Sequence, residues 1–217
     1  MAEITAEKVK ELRQSTGAGM MDCKQALRES GGDYEKAIDF LRTKGLKSAG
    51  KRADKVSAEG VVHCYAHPGA RISVILELNC ETDFVAKGDD FTNLAKGIAM
   101  HIAWANPKYV SRDEVSSDIL DREKEIYKTQ LKPEQEKMAE KIIEGKLEKY
   151  YQEVCLVDQL DAKDSSGKKK ISDLVTEVSA KVGEKVAIRR FARYEVGEGI
   201  EKKVVDYAEE VAQAARG

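Results

Sequence analysis

Between positions 72 and 102 the apolar residues change from a spacing of two to a helical spacing. Four of them share one face of a predicted strand: Ile72, Val74, Leu76 and Leu78. The alternate positions predict a solvated face: Ser73, Glu77 and Asn79. Six more predict a helix at about 90–104 with one apolar stripe: Phe91, Leu94, Ala95, Ile98, Ala99 and Ile102. Residues 79–87 therefore connect two rigid elements, and such a connection can hold side chains out toward a partner.

Residues 1–45 carry three short helical patterns with capping residues and glycines between them. The capping residues and breaks, in chain order, are Thr5, Gly17, Gly19, Gly31, Gly32, Asp33 and Gly45. The short apolar stripes predict a small three-helix module of the ubiquitin-associated type. We expect Gly45 to end the third helix, and the basic residues 44–55 to form a linker or a short solvated helix.

The rest of the chain predicts a small antiparallel sheet and further helices. A β-hairpin is expected over residues 58–80, and Pro68-Gly69 near its centre suits a type II turn. Two charged helices with narrow apolar stripes, at about 113–131 and 134–151, predict a helical hairpin that stands partly clear of the core. A helix, a third strand and an amphipathic last helix are expected at about 171–182, 185–196 and 201–215.

Together these patterns predict an α+β fold. It consists of a three-helix ubiquitin-associated-like module, a core of a small antiparallel sheet packed with helices, a protruding helical hairpin and a C-terminal helix. We expect the N-terminal module and linker to cover residues 1–55. The α+β core is expected over 56–197, with the helical hairpin inserted at about 113–151, and the C-terminal helical module over 198–217.

The composition argues against several classes of partner. A formal net charge of −2 over 217 residues argues against direct binding of nucleic acid, which relies on clustered positive charge. No apolar run approaches the ~20 residues that span a bilayer, so no membrane association is expected. The N-terminus lacks the basic region and apolar core of a secretion signal, and the four cysteines are widely spaced. These features indicate a cytoplasmic protein with reduced thiols; a plastid stroma or mitochondrial matrix stays open if the chain is a processed form.

No arrangement for catalysis, a metal or a cofactor is recognisable in the sequence. His63 and Cys64 would point to opposite faces of a strand and lack a CxxC partner, so no metal site is expected there. Gly17-Ala18-Gly19 followed by Lys24 fails the phosphate-loop pattern, which needs Gly-Lys-Ser/Thr. His101 has no nucleophile or orienting acid at a readable spacing. We therefore predict that the protein is not an enzyme and binds no metal or cofactor of its own.

Three pairs of residues are candidates for contact with a partner. Asp83 and Phe84 place a carboxylate beside an aromatic ring, which suits a wedge that fills a pocket and disturbs a cation. Residue types alone favour a simpler interpretation, with Phe84 in the core and Asp83 as a turn or N-cap residue. Met20 and Met21 lie ~100° apart on a helix, so one is expected to be exposed, unless both are partly packed against neighbouring helices. The third pair lies off the core face of the predicted helix and indicates a second contact surface: Met100 and Trp104.

Four strings, taken in this order, resemble bacterial-type translation elongation factor Ts. They are TGAGMMDCK at 16–24, NCETDFVA at 79–86, MHIA at 100–103 and GEGIEK at 197–202. The resemblance spans nearly the whole chain and is weakest in residues 110–170. It implies a guanine-nucleotide exchange factor that binds the GDP form of elongation factor Tu, a GTPase. Such a factor displaces Mg²⁺ and promotes GDP release, so that GTP can rebind.

The same resemblance implies roles for individual residues. The family's TDFV segment dislodges the Mg²⁺ of the GTPase, and it matches Thr82, Asp83, Phe84 and Val85. Further contacts with the partner are implied for Arg13, Met20, Met21 and His101. The C-terminal helix is implied to dock on the partner, and the helical hairpin to reach outward.

The chain resembles the short form of this family. It carries one TDFV segment and one strand–strand–helix unit, whereas the longer members carry a duplicated core. Either one copy contacts both halves of the GTPase, or the protein pairs with itself as a homodimer. From the residues alone, an alternative is an adaptor whose three-helix module binds a peptide or a ubiquitin-like partner.

Overall fold

The computed structural model describes residues 4–51, 55–131, 138–165 and 167–200. The helices are α1 Ala6–Thr16, α2 Met20–Glu29, α3 Tyr34–Lys51, α4 Asp83–Ala86, α5 Asp89–Ala105, α6 Ser117–Thr129, α7 Ala139–Val154 and α8 Ile171–Val182. The strands are β1 Glu59–Ala66, β2 Ile72–Cys80 and β3 Ala187–Glu195. Short 3₁₀ turns lie at Arg112–Glu114 and Leu156–Asp158. The predicted α+β class is confirmed, and the predicted last helix at 201–215 lies outside the described residues.

The N-terminal helices begin at the predicted capping residues. Thr5 Oγ1 accepts a hydrogen bond of 3.4 Å from the Lys8 amide, and Asp33 Oδ1 accepts one of 3.1 Å from the Lys36 amide. The three helices enclose a small core of their own: Val9, Leu12, Cys23, Ala26, Leu27 and Ala37. The predicted three-helix bundle is therefore confirmed.

Helix α3 does not end at Gly45, so the predicted end of this helix was wrong. The helix continues to Lys51 and takes in much of the segment that was expected to be a linker or a short solvated helix. A Cβ atom at Gly45 would lie 3.0 Å from the Cβ atom of Ala180 on α8. The glycine therefore allows α3 and α8 to approach closely, and its role is packing rather than helix termination.

The three strands form one antiparallel sheet with the order β1-β2-β3. Gly69 has a φ of +88° and the Ala70 amide donates to His67 O at 2.9 Å, as the predicted type II turn requires. Helix α5 packs on one face of the sheet, and all six residues of its predicted stripe are buried. Val74, Leu76 and Leu78 are buried opposite them, so the main core lies between α5 and the sheet.

The outer face of the sheet is less polar than its sequence predicted. Asn79 is buried, and its Nδ2 donates to Glu59 O at 3.2 Å on the neighbouring strand. Three large side chains of this face remain exposed, by 64%, 45% and 66%: Val62, Ile75 and Tyr194. The face therefore combines charge with apolar surface.

The helical hairpin is formed by α6 and α7, and neither helix contains a buried residue. Arg112, just before α6, donates to both carboxylate oxygens of Glu148 on α7 at 2.7 and 2.8 Å. It also donates to both oxygens of Asp158 at 2.9 Å. These bidentate bonds attach the hairpin to the segment that leads into α8. The predicted break at Lys132-Pro133 lies outside the described residues.

Candidate partner-binding surface

The connection after β2 is a short turn of helix. Thr82 is the N-cap of α4, and its Oγ1 accepts from the Val85 amide at 3.5 Å. Cys80 Sγ donates to Thr82 O at 3.1 Å, which attaches the turn to the end of the strand. Ala86 is buried and Val85 packs against the main core. The four residues of the TDFV segment are thus brought together on one well-supported turn.

Phe84 lies on the outside of this turn, and 84% of its surface is exposed. Its assignment to the core, which residue types alone favoured, was therefore wrong. Ala86 faces the core, and two residues along a helix correspond to a rotation of ~200°, so Phe84 must point away from it. A ring that is this exposed leaves roughly 1.5–3 kcal/mol of burial free energy for a binding partner.

Asp83 is the first residue of α4 rather than its N-cap. Its Oδ2 lies 2.6 Å from Lys87 Nζ, one turn further on. The hydrogen bond from Lys87 lowers the pKa of the Asp83 carboxyl below its ordinary value. The carboxylate is therefore charged at neutral pH and stands beside the exposed ring of Phe84.

The side chain of Glu184, which is distant in the sequence, supports the turn, and no sequence pattern pointed to it. Its Oε2 accepts from the amides of Glu81 and Thr82, both at 3.0 Å. Its Oε1 accepts from Thr82 Oγ1 at 2.6 Å. Glu184 and Thr82 are 102 residues apart, so only the tertiary structure shows this contact.

The N-terminal module presents both methionines of its candidate pair. Met20 is 51% and Met21 74% exposed, so both methionines face solvent, whereas only one was expected to be exposed. Both lie in the first turn of α2, directly after Gly19. Arg13 is exposed in the last turn of α1. Exposed flexible thioethers form an adaptable apolar contact surface.

Lys181 on α8 connects the N-terminal module to the start of α5. A Cβ atom at Gly17 would lie 2.5 Å from Lys181 Cε, so the lysine stem lies against the loop that precedes Met20. Lys181 Nζ lies 2.6 Å from Asp90 Oδ1, in the first turn of α5. Lys181 therefore links the loop that precedes the methionine pair to the helix that follows the TDFV turn.

His101 is buried, with 4% of its surface exposed. Gln159 Nε2 donates to Glu153 O at 2.7 Å, so the amide oxygen of Gln159 faces the histidine and accepts from its Nε2 at 3.0 Å. Burial lowers the pKa of the imidazole, which is therefore neutral at pH 7. The exposed group here is Trp104, whose ring lies 6.1 Å from the His101 ring and is 73% exposed.

Comparison with known proteins gives one consistent result. A family model described as elongation factor Ts matches residues 5–198. The chain is 58% identical to the elongation factor Ts of Desulforamulus reducens over 98% of both chains, and 57% identical to that of Myxococcus xanthus, also over 98% of both. It is 57% identical to that of Syntrophomonas wolfei over 96% of this chain and 97% of the relative.

The chain belongs to the elongation factor Ts family. The resemblance seen in the sequence is thereby confirmed at the level of the family. The described residues contain no group of three or more His, Cys, Asp or Glu side chains that could hold a metal ion. Within the same ranges, no helix is long and apolar enough to cross a membrane.

Proposed function

We propose that this protein is the guanine-nucleotide exchange factor of elongation factor Tu. It binds the GDP form, displaces the Mg²⁺ of the GTPase and promotes GDP release, so that GTP can rebind. The observation that carries the proposal is the turn at Asp83 and Phe84, where an exposed ring and a charged carboxylate stand together on a braced support. No covalent chemistry and no direct contact with nucleic acid are part of this function, and a cytoplasmic location belongs to the same proposal.

The proposed mechanism acts on a weak point of a nucleotide site. Protein-bound Mg²⁺ demands near-ideal geometry and is held by few protein ligands, so a small displacement of its loop weakens it. Phe84 would enter the GTPase as a wedge, and Asp83 would compete for groups near the nucleotide. Thr82 and Val85 contribute by supporting the turn, because one caps α4 and the other packs on the core.

The wedge alone does not supply the free energy that exchange needs. A ten-thousand-fold acceleration of GDP release corresponds to roughly 5.6 kcal/mol, at ~1.4 kcal/mol per factor of ten. Burial of the Phe84 ring supplies roughly 1.5–3 kcal/mol. We propose that the remainder comes from contacts at Arg13, Met20, Met21 and the surface that Trp104 exposes beside His101. The coupling is reciprocal, so bound nucleotide weakens the affinity of the factor to the same extent.

The test is release of labelled GDP from purified elongation factor Tu in the presence of wild type and variants. Phe84→Ala and Asp83→Ala should each slow the accelerated release. Met20→Ala with Met21→Ala should raise the concentration needed for half-maximal acceleration. Ile126→Ala, which truncates an apolar side chain of 42% exposure on the helical hairpin, serves as the control and should behave as wild type. No acceleration by the wild type would refute the proposal and favour the adaptor with a peptide-binding three-helix module.

We further propose that a second copy of the chain covers the outer face of the sheet. The exposed side chains of Val62, Ile75 and Tyr194 form apolar surface there, and a two-fold pair would bury the same patch on both copies. Light scattering should report a dimer for the wild type. Ile75→Lys should yield a monomer because two like charges would meet, whereas Thr92→Lys on the exposed side of α5 should not. A monomeric wild type would contradict this pairing.

A further inference from the structure

Resting on the proposed exchange function, we infer that Glu184 is a positioning residue that holds Asp83 and Phe84 in their partner-facing orientation. Glu184 lies between α8 and β3, is half-buried, and its carboxylate reaches the turn. Its proposed effect on exchange runs through the residues that it holds.

The carboxylate of Glu184 binds three donors on the two residues that precede α4. Two are backbone amides, of Glu81 and Thr82, and the third is the Thr82 hydroxyl. The N–H group of the N-cap residue Thr82 has no partner within the helix, so an acceptor is needed at this point. The negative charge strengthens all three bonds and is favourable beside a helix N-terminus. Glu184 thereby determines the direction in which α4 leaves the sheet.

Glu184 is itself held in place by the end of α8. Gly183 ends this helix with a φ of +78°, and its amide donates to Ser179 O. The hydroxyl of Ser179, which is 3% exposed, donates to Glu184 O at 2.5 Å. The backbone of Glu184 therefore has a defined position before its side chain reaches the turn.

A second carboxylate, that of Glu81, extends from the turn back to the segment that follows α8. Glu81 Oε1 accepts from the Lys185 amide at 2.7 Å, and Glu81 Oε2 accepts from Lys55 Nζ at 2.7 Å. Lys185 Nζ in turn donates to Lys55 O at 2.8 Å. Residues 81 and 82 are thus hydrogen-bonded to residues 184 and 185, and each of the two segments supplies one carboxylate as acceptor. Substitution of Glu184 by alanine removes its three hydrogen bonds and so loosens the turn. The hydrogen bonds of Glu81 stay in place, so the fold persists.

The same end of α8 also contacts the N-terminal module, through different side chains. Ala180 lies against Gly45, and Lys181 lies against Gly17. A change at Glu184 leaves these contacts intact, so the methionine surface keeps its position. We therefore expect variants of Glu184 to lower the limiting rate of GDP release at saturating factor. The half-saturating concentration, to which the N-terminal module contributes, should change little.

Two substitutions at Glu184 separate charge from shape. In Glu184→Gln the amide oxygen still accepts from the two backbone amides, and the Thr82 hydroxyl can rotate to accept from the new NH₂ group. Glu184→Ala removes all three acceptor bonds. We expect the limiting rate to fall at least about tenfold for Ala, or ~1.4 kcal/mol of activation free energy, and by less for Gln. Glu177→Ala, which removes an acid of α8 that is paired with Lys169, is the matched control and should match wild type.

A mutant cycle with the double variant Asp83→Ala and Phe84→Ala tests whether Glu184 acts through these two side chains. If it does, adding Glu184→Ala to that double variant should change the limiting rate less than about threefold, because the effects are coupled. Independent, multiplicative losses would overturn the inference, and so would wild-type exchange by Glu184→Ala. Thermal unfolding of each variant separates these outcomes from loss of the fold.

Amide hydrogen exchange of the isolated protein tests the positioning without the GTPase. Glu184→Ala should raise the exchange rates of the Thr82 and Val85 amides at least about tenfold, and Glu184→Gln by less, while α5 stays protected. Unchanged protection in both variants would overturn the inference. This measurement decides it even if the wild type fails to accelerate GDP release, in which case the proposed function fails on separate grounds. If the Ala variant does not fold, the Gln variant carries both tests.

Discussion

Lys87 Nζ and Asp83 Oδ2 lie 2.6 Å apart across one turn, so the acid of the proposed wedge is paired within its own chain. This hydrogen bond lowers the pKa of Asp83 below its ordinary value of 3.8. A partner that binds Asp83 must therefore replace Lys87 or share the carboxylate with it.

We predict that Lys87→Met raises the pKa of Asp83 toward 3.8. Because the folded-state pKa is the lower one, the pair stabilises the protein above the ordinary carboxyl pKa, and this contribution is lost as the pH falls through the folded value. At pH 7 the variant should fold normally, since both side chains are on the surface. The check is an NMR titration of the Asp83 carboxyl carbon in both proteins, and equal pKa values would contradict the assignment.

The exposure of Phe84 predicts that binding and stability separate at this position. Phe84→Ala should change the free energy of unfolding by less than about 0.5 kcal/mol, because the ring contributes little to the core. Phe91→Ala, seven residues further on and fully buried, should lower it by about 3–5 kcal/mol. Urea unfolding of both variants gives the comparison. A large loss for Phe84→Ala would show that the ring packs inward.

Gly45 and Gly97 should respond in opposite ways to the same substitution. A Cβ atom at Gly97 on α5 meets nothing within 4 Å, so Gly97→Ala should stabilise the protein by about 0.5–1 kcal/mol through helix propensity. At Gly45 the new methyl group would press on Ala180, and overpacking costs typically 1–3 kcal/mol. Gly45→Ala should therefore lower the melting temperature while Gly97→Ala raises it. Equal shifts would contradict close packing of α3 on α8.

His101 predicts a loss of stability in mild acid. Burial lowers its pKa below the ordinary value of 6.5, so the unfolded chain binds the proton more readily than the folded one. Stability then rises with pH between the two pKa values and is lost as the pH falls below about 6.5. His101→Gln should reduce this dependence. Urea unfolding at pH 7.5 and pH 5.5 tests it, and an unchanged pH dependence in the variant would argue against a buried neutral imidazole.

The elements that were predicted well are those with a complete local pattern. The alternation at 72–78 and the stripe at 91–102 each repeat several times, and one buried face is enough to produce them. Likewise Thr5 and Asp33 cap helices through bonds to amides three residues away. Such interactions depend on neighbours in the chain, so the sequence contains the information directly.

The predictions that failed depended on distant residues. A glycine such as Gly45 is typical of a helix end, but here it allows α3 to pack closely against Ala180. Asn79 alternates like a solvated position, but it is buried and its side-chain amide donates to the backbone of β1. An aromatic residue such as Phe84 is typical of a core, but the core residues of β2 and α5 pack against Val85 and Ala86 of this turn instead.

The sequence by itself determined the α+β class, the helix and strand pattern and the family, because local periodicity and short motifs carry them. Only the tertiary structure decided that Phe84 faces solvent and that Met20 and Met21 are both exposed. It also showed that Glu184 holds the turn from 102 residues away. The physical reason is that the exposure of a side chain and the support of a turn depend on which distant parts of the chain pack together. A pattern of neighbouring residues does not contain that information.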